Sequence, residues 1–245
     1  MTKVAVITGG GSGIGRAAGR KLAAAGWRVV LAGRRQAALD EAAAAHPGII
    51  PLVADVTDEA AVQRLFDETV KRCGRVDLLF NNAGMFPPAA PVPDVALADF
   101  TAALAVNVTG MFLCARAAFR VMQAQSPQGG RIINNGSISA QVPRPQAVAY
   151  TVSKHAVTGL TRALALEGRA HNIACGQIDI GNATTELTAG IARGSMQADG
   201  RMAPEPMMDV EDAAASVLHM AGLPLAANVQ FMTVMATAMP FIGRG

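Results

Sequence analysis

Strand-like and helix-like segments alternate along almost all of this 245-residue chain, and that rhythm restricts its fold more than any other feature. Short apolar, β-branched runs are expected as strands at Val4–Thr8, Arg28–Ala32, Ile49–Ala54, Val76–Phe80, Arg131–Asn135, Ile173–Ile178 and Val229–Val234. Longer helix-compatible stretches separate them: Gly13–Ala25, Gln36–Ala45, Glu59–Arg72, Leu97–Ala124, Val148–Ala170 and Glu211–Ala221. Ala156, Val157, Leu160 and Leu164 recur at helical spacing, which predicts a helix with a core face. Asp58, just before Glu59, is placed to cap a helix start. Alternation of this kind implies βαβ units, a parallel sheet and helices on both of its faces. The strands read as unbroken apolar runs because such a sheet is covered on both sides.

The chain is long enough for one sizeable domain, residues 1–245, and no linker, repeat or low-complexity tract divides it. Apolar residues make up 51% and charged residues 16%, a globular composition. The net charge of +3 comes from scattered arginines, and no Lys/Arg run forms a nucleic-acid footprint. Cys73, Cys114 and Cys175 are too far apart for a metal or CxxC site, so no metal is expected and the thiols fit a reducing compartment. With no signal peptide evident, a cytoplasmic location is the expectation. No membrane association is expected either, because the best apolar stretch, around Ala102 to Phe119, contains Asn107 and Arg116. One segment breaks the rhythm. Asn182 to Met208 contains Gly190, Gly194, Gly200, Pro204 and Pro206, and a long irregular insertion in such a fold is often a lid. It reads as a substrate-binding loop over a small-molecule pocket, with Leu187, Ile191, Met196, Met202, Met207 and Met208 as its apolar supply.

The first strand runs directly into Thr8-Gly9-Gly10-Gly11-Ser12-Gly13-Ile14-Gly15 and then a helix. Glycines there permit a tight turn and let backbone N–H groups approach a diphosphate, facing the positive end of the helix. An acidic residue closing the second strand would bind the ribose 2′-OH of NAD. Here that strand closes on Gly33-Arg34-Arg35, and a guanidinium suits a 2′-phosphate. NADP is therefore favoured, with NAD possible. The plainer reading of Arg34 and Arg35 is surface charge at a helix start.

Tyr150 is the only tyrosine, and Lys154, one of four lysines, follows it by one helical turn. A free phenol has a pKa of about 10, and a fixed cation beside it would bring that value down. The pair could then exchange a proton near neutrality. A surface tyrosine that happens to precede a lysine is the plainer reading. His155 points about 100° away from Lys154 on a helix and is expected to be structural. No Gly-x-Ser-x-Gly elbow supports a hydrolase triad.

Taken together, Thr-Gly-x-x-x-Gly-x-Gly, the run Asn81-Asn82-Ala83-Gly84 after the fourth strand, and Tyr-x-x-x-Lys make the chain resemble the short-chain dehydrogenase/reductase family over essentially its whole length. The resemblance implies a single Rossmann-type, doubly wound α/β domain of about seven parallel strands, an NAD(P)-dependent oxidoreductase of carbonyls or secondary alcohols, and a homo-oligomer such as a tetramer or dimer. It also implies residue roles. Tyr150 would be the acid/base group, and Lys154 would lower its pKa and hold the nicotinamide ribose. Ser137, thirteen positions before Tyr150, would hold the substrate oxygen, with Ser139 as the less suitable alternative. Asn107 would support a water relay to the lysine. Gly9, Ser12, Gly13, Ile14, Gly15, Arg34, Arg35, Asp55, Val56, Asn81, Ala83, Gly84, Gly181 and Thr185 would join Tyr150 and Lys154 around the cofactor.

The chain departs from the family in two places. Ile180 stands where the family usually has the proline of a Pro-Gly pair, which leaves the backbone there less constrained. The tail, Met235 to Gly245, also lacks the common apolar-Asp-Gly-Gly ending. Arg144 could reach an anionic substrate or be a solvated loop charge. Two other functional classes fit the sequence less well: a non-catalytic NADP sensor, which would be expected to lack Tyr150 or Lys154, and a nucleotide- or S-adenosylmethionine-dependent transferase, which would have no use for Ser137, Tyr150 and Lys154 together.

Overall fold

The computed structural model describes residues 1–44, 46–190 and 194–242. Its centre is a seven-stranded parallel sheet in the order β3-β2-β1-β4-β5-β6-β9. The strands are β1 (Val4–Thr8), β2 (Arg28–Gly33), β3 (Ile49–Val53), β4 (Leu78–Asn81), β5 (Gly130–Asn135), β6 (Ile173–Ile180) and β9 (Phe231–Val234). Among the described residues seven α-helices accompany them: α1 (Gly13–Ala24), α2 (Gln36–Ala43), α3 (Glu59–Cys73), α4 (Leu97–Leu104), α5 (Met111–Ala124), α6 (Val148–Gly168) and α7 (Val210–Gly222). The expected doubly wound architecture is the one observed.

Alternation of side chains along the strands builds two cores. Ala5, Ile7, Val29, Leu31, Leu78 and Phe80 face one side, where Leu22, Leu39, Val217 and Met220 cover them. Val6, Val30, Ala32, Leu79 and Ile132 face the other, against Leu65, Phe66, Cys114 and Met122. Each fully buried large side chain contributes about 1.5–3 kcal/mol, so a one-residue register slip, which exchanges the faces, is heavily disfavoured. Local signals set the helix ends: the Asp58 carboxylate accepts from Ala60 N at 2.8 Å, and Gly74 closes α3 in the left-handed region at φ +83°.

The elements differ from the sequence expectations in a few places. β4 begins at Leu78 rather than Val76, because the Val76 N–H is taken by Gln125 Oε1. β6 runs on to Ile180, where Asp179 and Ile180 pair with Thr233 and Val234 of β9. β9 starts at Phe231, not Val229. The last residue of the expected Gln36–Ala45 helix lies outside the described residues, and α2 ends at Ala43. The expected Leu97–Ala124 helix is continuous but widens into a π-helical turn at Ala105–Gly110, centred near Asn107. Such widened turns recur at functional sites. This run is long and apolar enough to cross a membrane by length and composition. Here it packs its buried face, including Met111, Cys114, Ala118 and Met122, against the domain core. The 182–208 segment contains structure that the sequence did not suggest: a 3-10 turn at Glu186–Thr188 and a two-stranded antiparallel hairpin of β7 (Ser195–Met196) and β8 (Met202–Ala203).

Candidate active site

A cleft of about 570 Å³ opens at the C-terminal ends of β1, β4, β5 and β6. Gly9, Ser12, Gly13 and Ile14 line one end of it. The start of α1 carries no acidic residue and no side-chain cap, so its positive end is left to the cleft. Gly13 holds φ +49°, and Thr185 packs over it: a methyl there would lie 3.2 Å from Thr185 Cγ2. A methyl at Gly15 would lie 2.3 Å from the Gly9 carbonyl oxygen and 2.6 Å from Asn82 Nδ2, so only glycine lets helix and turn approach this closely. This bare, close-packed backbone fits the diphosphate of a dinucleotide.

The β4 end braces the turn. Thr8 Oγ1 accepts from Asn82 N and Ala83 N, both at 2.9 Å, and Asn82 Nδ2 donates to Thr8 O at 3.0 Å. Ala83 and Gly84 line the cleft. Asn81, expected among the cofactor contacts, is instead 1% exposed and donates to Met111 O at 2.7 Å. Strand alternation turns its side chain inward, where it ties β4 to α5. Arg34 and Arg35 are exposed at the end of β2, off the cleft wall. Asp55 accepts from Thr57 N at 2.9 Å and Thr57 Oγ1 at 2.7 Å. Those bonds, followed by the nearby Arg34 charge, hold its carboxyl below the ordinary range. Val56 is buried beside it, against Gly110.

Tyr150, Ser137 and Lys154 meet in the cleft wall. Ser137 caps the 3-10 turn Ile138–Ala140, its Oγ accepting from Ser139 N at 3.1 Å. Ser139 also lines the cleft, but it is Ser137 that hydrogen-bonds Tyr150. Lys154 is 4% exposed and donates from Nζ to Asn135 O at 2.8 Å, and Nζ lies 5.4 Å from the centroid of the Tyr150 ring. Phe86 stacks against that ring with centroids 4.0 Å apart. Asn107, fully buried, accepts from Met85 N at 2.8 Å and donates to Met85 O and Ser153 Oγ, so its amide is spent on clamping the loop after β4 to α6. His155 is exposed on the far side of α6.

Burial dominates the proton affinities of the pair. The sequence reading has Lys154 lowering the Tyr150 pKa. Here burial pushes Tyr150 up to about 12, against the opposing pull of the Ser137 hydrogen bond and the Arg144 charge. Burial also pushes Lys154 down to about 8, with Asp179 resisting. Desolvation is the largest cause for both groups, and Lys154 Nζ bonds the Asn135 carbonyl.

Arg144 is not the solvated charge its loop position suggested. Nη2 lies 2.7 Å from Glu205 Oε2 and 2.7 Å from Asn182 Oδ1, and the Glu205 side chain is only 2% exposed. This pair fastens the 182–208 segment to the loop that joins the Ser137 turn to α6. Of that segment's apolar residues, Leu187, Met196 and Met202 line the cleft. Met208 turns into the core and bridges Ala183, Met207 is off the cleft wall, and Ile191 lies outside the described residues. Gly181 lines the cleft beside Ile180, and a methyl on it would lie 2.6 Å from Met235 Cβ, so the tail crosses where the family proline would precede it.

Sequence reasoning missed Phe86, Glu205 and Asp179. Asp179 alone left a signal, a carboxylate between Ile178 and Ile180 in a strand covered on both faces.

A family model described as short chain dehydrogenase matches residues 3–195. The chain is 34% identical over 241 residues to sulfoacetaldehyde reductase 2 of Chromohalobacter salexigens, covering 97% of this chain and 95% of that protein. It is 36% identical over 194 residues to carbonyl reductase family member 4 of Danio rerio, covering 78% and 80%. Among solved structures, 3-ketoacyl-(acyl-carrier-protein) reductase from Brucella melitensis complexed with NADH superposes with a TM-score of 0.86 at 26% identity, covering 96% of this chain and 98% of that one.

Proposed function

The chain belongs to the short-chain dehydrogenase/reductase family, an oxidoreductase family acting on CH–OH and C=O groups with a nicotinamide cofactor, and on that premise we propose that Tyr150 is its acid/base group. The observation that carries this reading is the meeting of Tyr150, Ser137 and Lys154 in the wall of the cleft headed by the Gly-rich turn. The cofactor, when bound, supplies or takes the hydride. Gly9, Ser12, Gly13 and Ile14 would hold its diphosphate, Lys154 its nicotinamide ribose, and Thr185 and Gly181 would flank the nicotinamide. In carbonyl reduction Tyr150 gives its phenolic proton to the substrate oxygen while the Ser137 hydroxyl donates a hydrogen bond to the same atom. A phenol pushed up to about 12 is protonated at neutral pH and so has the proton that this step requires.

NADP(H) is the preferred cofactor in this proposal. β2 closes on Gly33, Arg34 and Arg35 with no carboxylate, and both arginines are exposed at that end. The substrate is a small-molecule carbonyl or alcohol. Self-association is proposed through the exposed apolar residues Leu97 and Phe112, 79% and 44% accessible, and the free cysteines suit the cytoplasm.

The test is a panel of carbonyls and alcohols, run with each cofactor and followed by nicotinamide absorbance, on the native protein and on Tyr150→Phe. Turnover by the native chain, faster with NADP(H), and its loss by a factor of about a thousand or more in Tyr150→Phe with cofactor binding kept, are the expected results. Retained turnover in that variant removes Tyr150 from the reaction, and a preference for NAD(H) removes the NADP assignment.

A further inference from the structure

Asp179 is 2% exposed at the end of β6. An ionised carboxylate in such a place is costly unless it is hydrogen-bonded. Its Oδ1 accepts from Ser137 N at 2.9 Å and from Gln177 Nε2 at 2.7 Å, and its Oδ2 accepts from Gln141 Nε2 at 3.0 Å. All three donors are neutral. The chain makes room for the group as well: a methyl on Gly136 would lie 2.1 Å from Oδ1, so Gly136 is what lets the backbone before Ser137 come this close.

We propose that Asp179 is a positioning residue for the reaction: its buried carboxylate anchors the turn that carries Ser137 and places a negative charge behind the wall that holds Tyr150 and Lys154. The inference rests on the acid/base reading of Tyr150, but its test needs no turnover. The charged groups around the pair act in opposite senses. Asp179 favours the ammonium of Lys154 and opposes ionisation of Tyr150. Arg144, itself paired with Glu205, favours ionisation of Tyr150. Burial works against the Lys154 charge. Lys154 bonds only the neutral Asn135 carbonyl among the described residues, and Asp179 is the charge that opposes the effect of burial on its ammonium.

The chain has only four lysines, Lys3, Lys21, Lys71 and Lys154, so the side-chain carbon resonances of ¹³C-labelled lysine resolve them by pH titration. In the native protein the Lys154 resonance should titrate near 8. In Asp179→Asn, which keeps the shape and loses the charge, that midpoint should fall by about one unit, a like-sized change to that expected from removing one charge at a few ångströms in a protein interior. In Asp179→Glu, which keeps the charge, it should stay within about half a unit of the native value. If Asp179→Asn does not fold, Asp179→Ser replaces it as the neutral variant. An unchanged midpoint in the neutral variant overturns the proposal and leaves Asp179 a packing residue. That outcome is separable from failure of the parent reading, which shows instead as turnover retained by Tyr150→Phe.

Discussion

Replacing Lys154 with methionine should make the protein more stable at neutral pH while removing its activity. Lys154 is 4% exposed, and burial pushes its ammonium from 10.5 down to about 8. At 1.36 kcal/mol per unit, that shift corresponds to about 3 kcal/mol by which the fold disfavours the charged form. Methionine has a similar shape and no charge, but it leaves the Asn135 carbonyl without the 2.8 Å bond from Nζ, at a cost of about 1 kcal/mol. The net gain is about 2 kcal/mol, or roughly 4–8 °C in Tm for a chain of this size. The sign of its pH dependence follows from the depressed pKa. Below about 8 the lysine is charged in both folded and unfolded states, and the native chain carries the full penalty. As pH rises from there to the unfolded value of 10.5, the folded state has released its proton while the unfolded state still holds one, so native stability climbs and the penalty disappears. The advantage of Lys154→Met should therefore be full at pH 7, smaller by more than about 1 kcal/mol at pH 9.5, and absent above about 10.5. Urea unfolding of both proteins at these pH values measures it. A variant less stable than the native chain at pH 7, or a difference that does not change with pH, refutes the claim that a buried ammonium is held here against its desolvation.

Two further substitutions probe the frame of the cleft. Gly15→Ala puts a methyl 2.3 Å from the Gly9 carbonyl and should cost about 1–3 kcal/mol together with cofactor affinity; an unchanged Tm and dinucleotide Kd would show that the turn yields freely. Arg144→Met takes the guanidinium from Glu205, whose side chain is 2% exposed, and should cost about 3 kcal/mol in urea unfolding. Adding Glu205→Gln should recover at least half of that loss, and a double variant no better than the single one refutes the pairing as the cause.

The parts legible in the sequence are those whose physics is local. Unbroken apolar runs mark strands buried on both faces, and the Gly-rich turn announces a bare backbone at a helix start. Asp58 marks the start of α3 because its cap is formed two residues away. What stayed hidden is held by contacts between distant segments. The Ser137–Asp179 bond spans 42 residues and Arg144–Glu205 spans 61, so no window of sequence contains either pair. Arg144 looked solvated because its neighbours in the chain are loop residues, whereas its surroundings in space are Asn182 and Glu205. Asn81 was drawn toward the cofactor by its motif, but the two-residue period of β4 sends its side chain the other way.

The acid–base pair shows why such distant contacts decide the chemistry. Spacing of four on a helix brings Tyr150 and Lys154 to one face, and from spacing alone the cation should ease ionisation of the phenol. The fold instead moves them in opposite directions, to about 12 and about 8, because the same burial that excludes water penalises both charges. In that state the phenol keeps its proton at neutral pH, and the Asp179 carboxylate works against the loss of the lysine's charge. Bringing the phenol down for the reverse reaction then requires a stronger donor to its oxygen or an added positive charge in the cleft, and both can enter with ligands. On the proposed reading, Asp179 and Gly136 hold the Ser137 turn in place for proton donation by the phenol beside it.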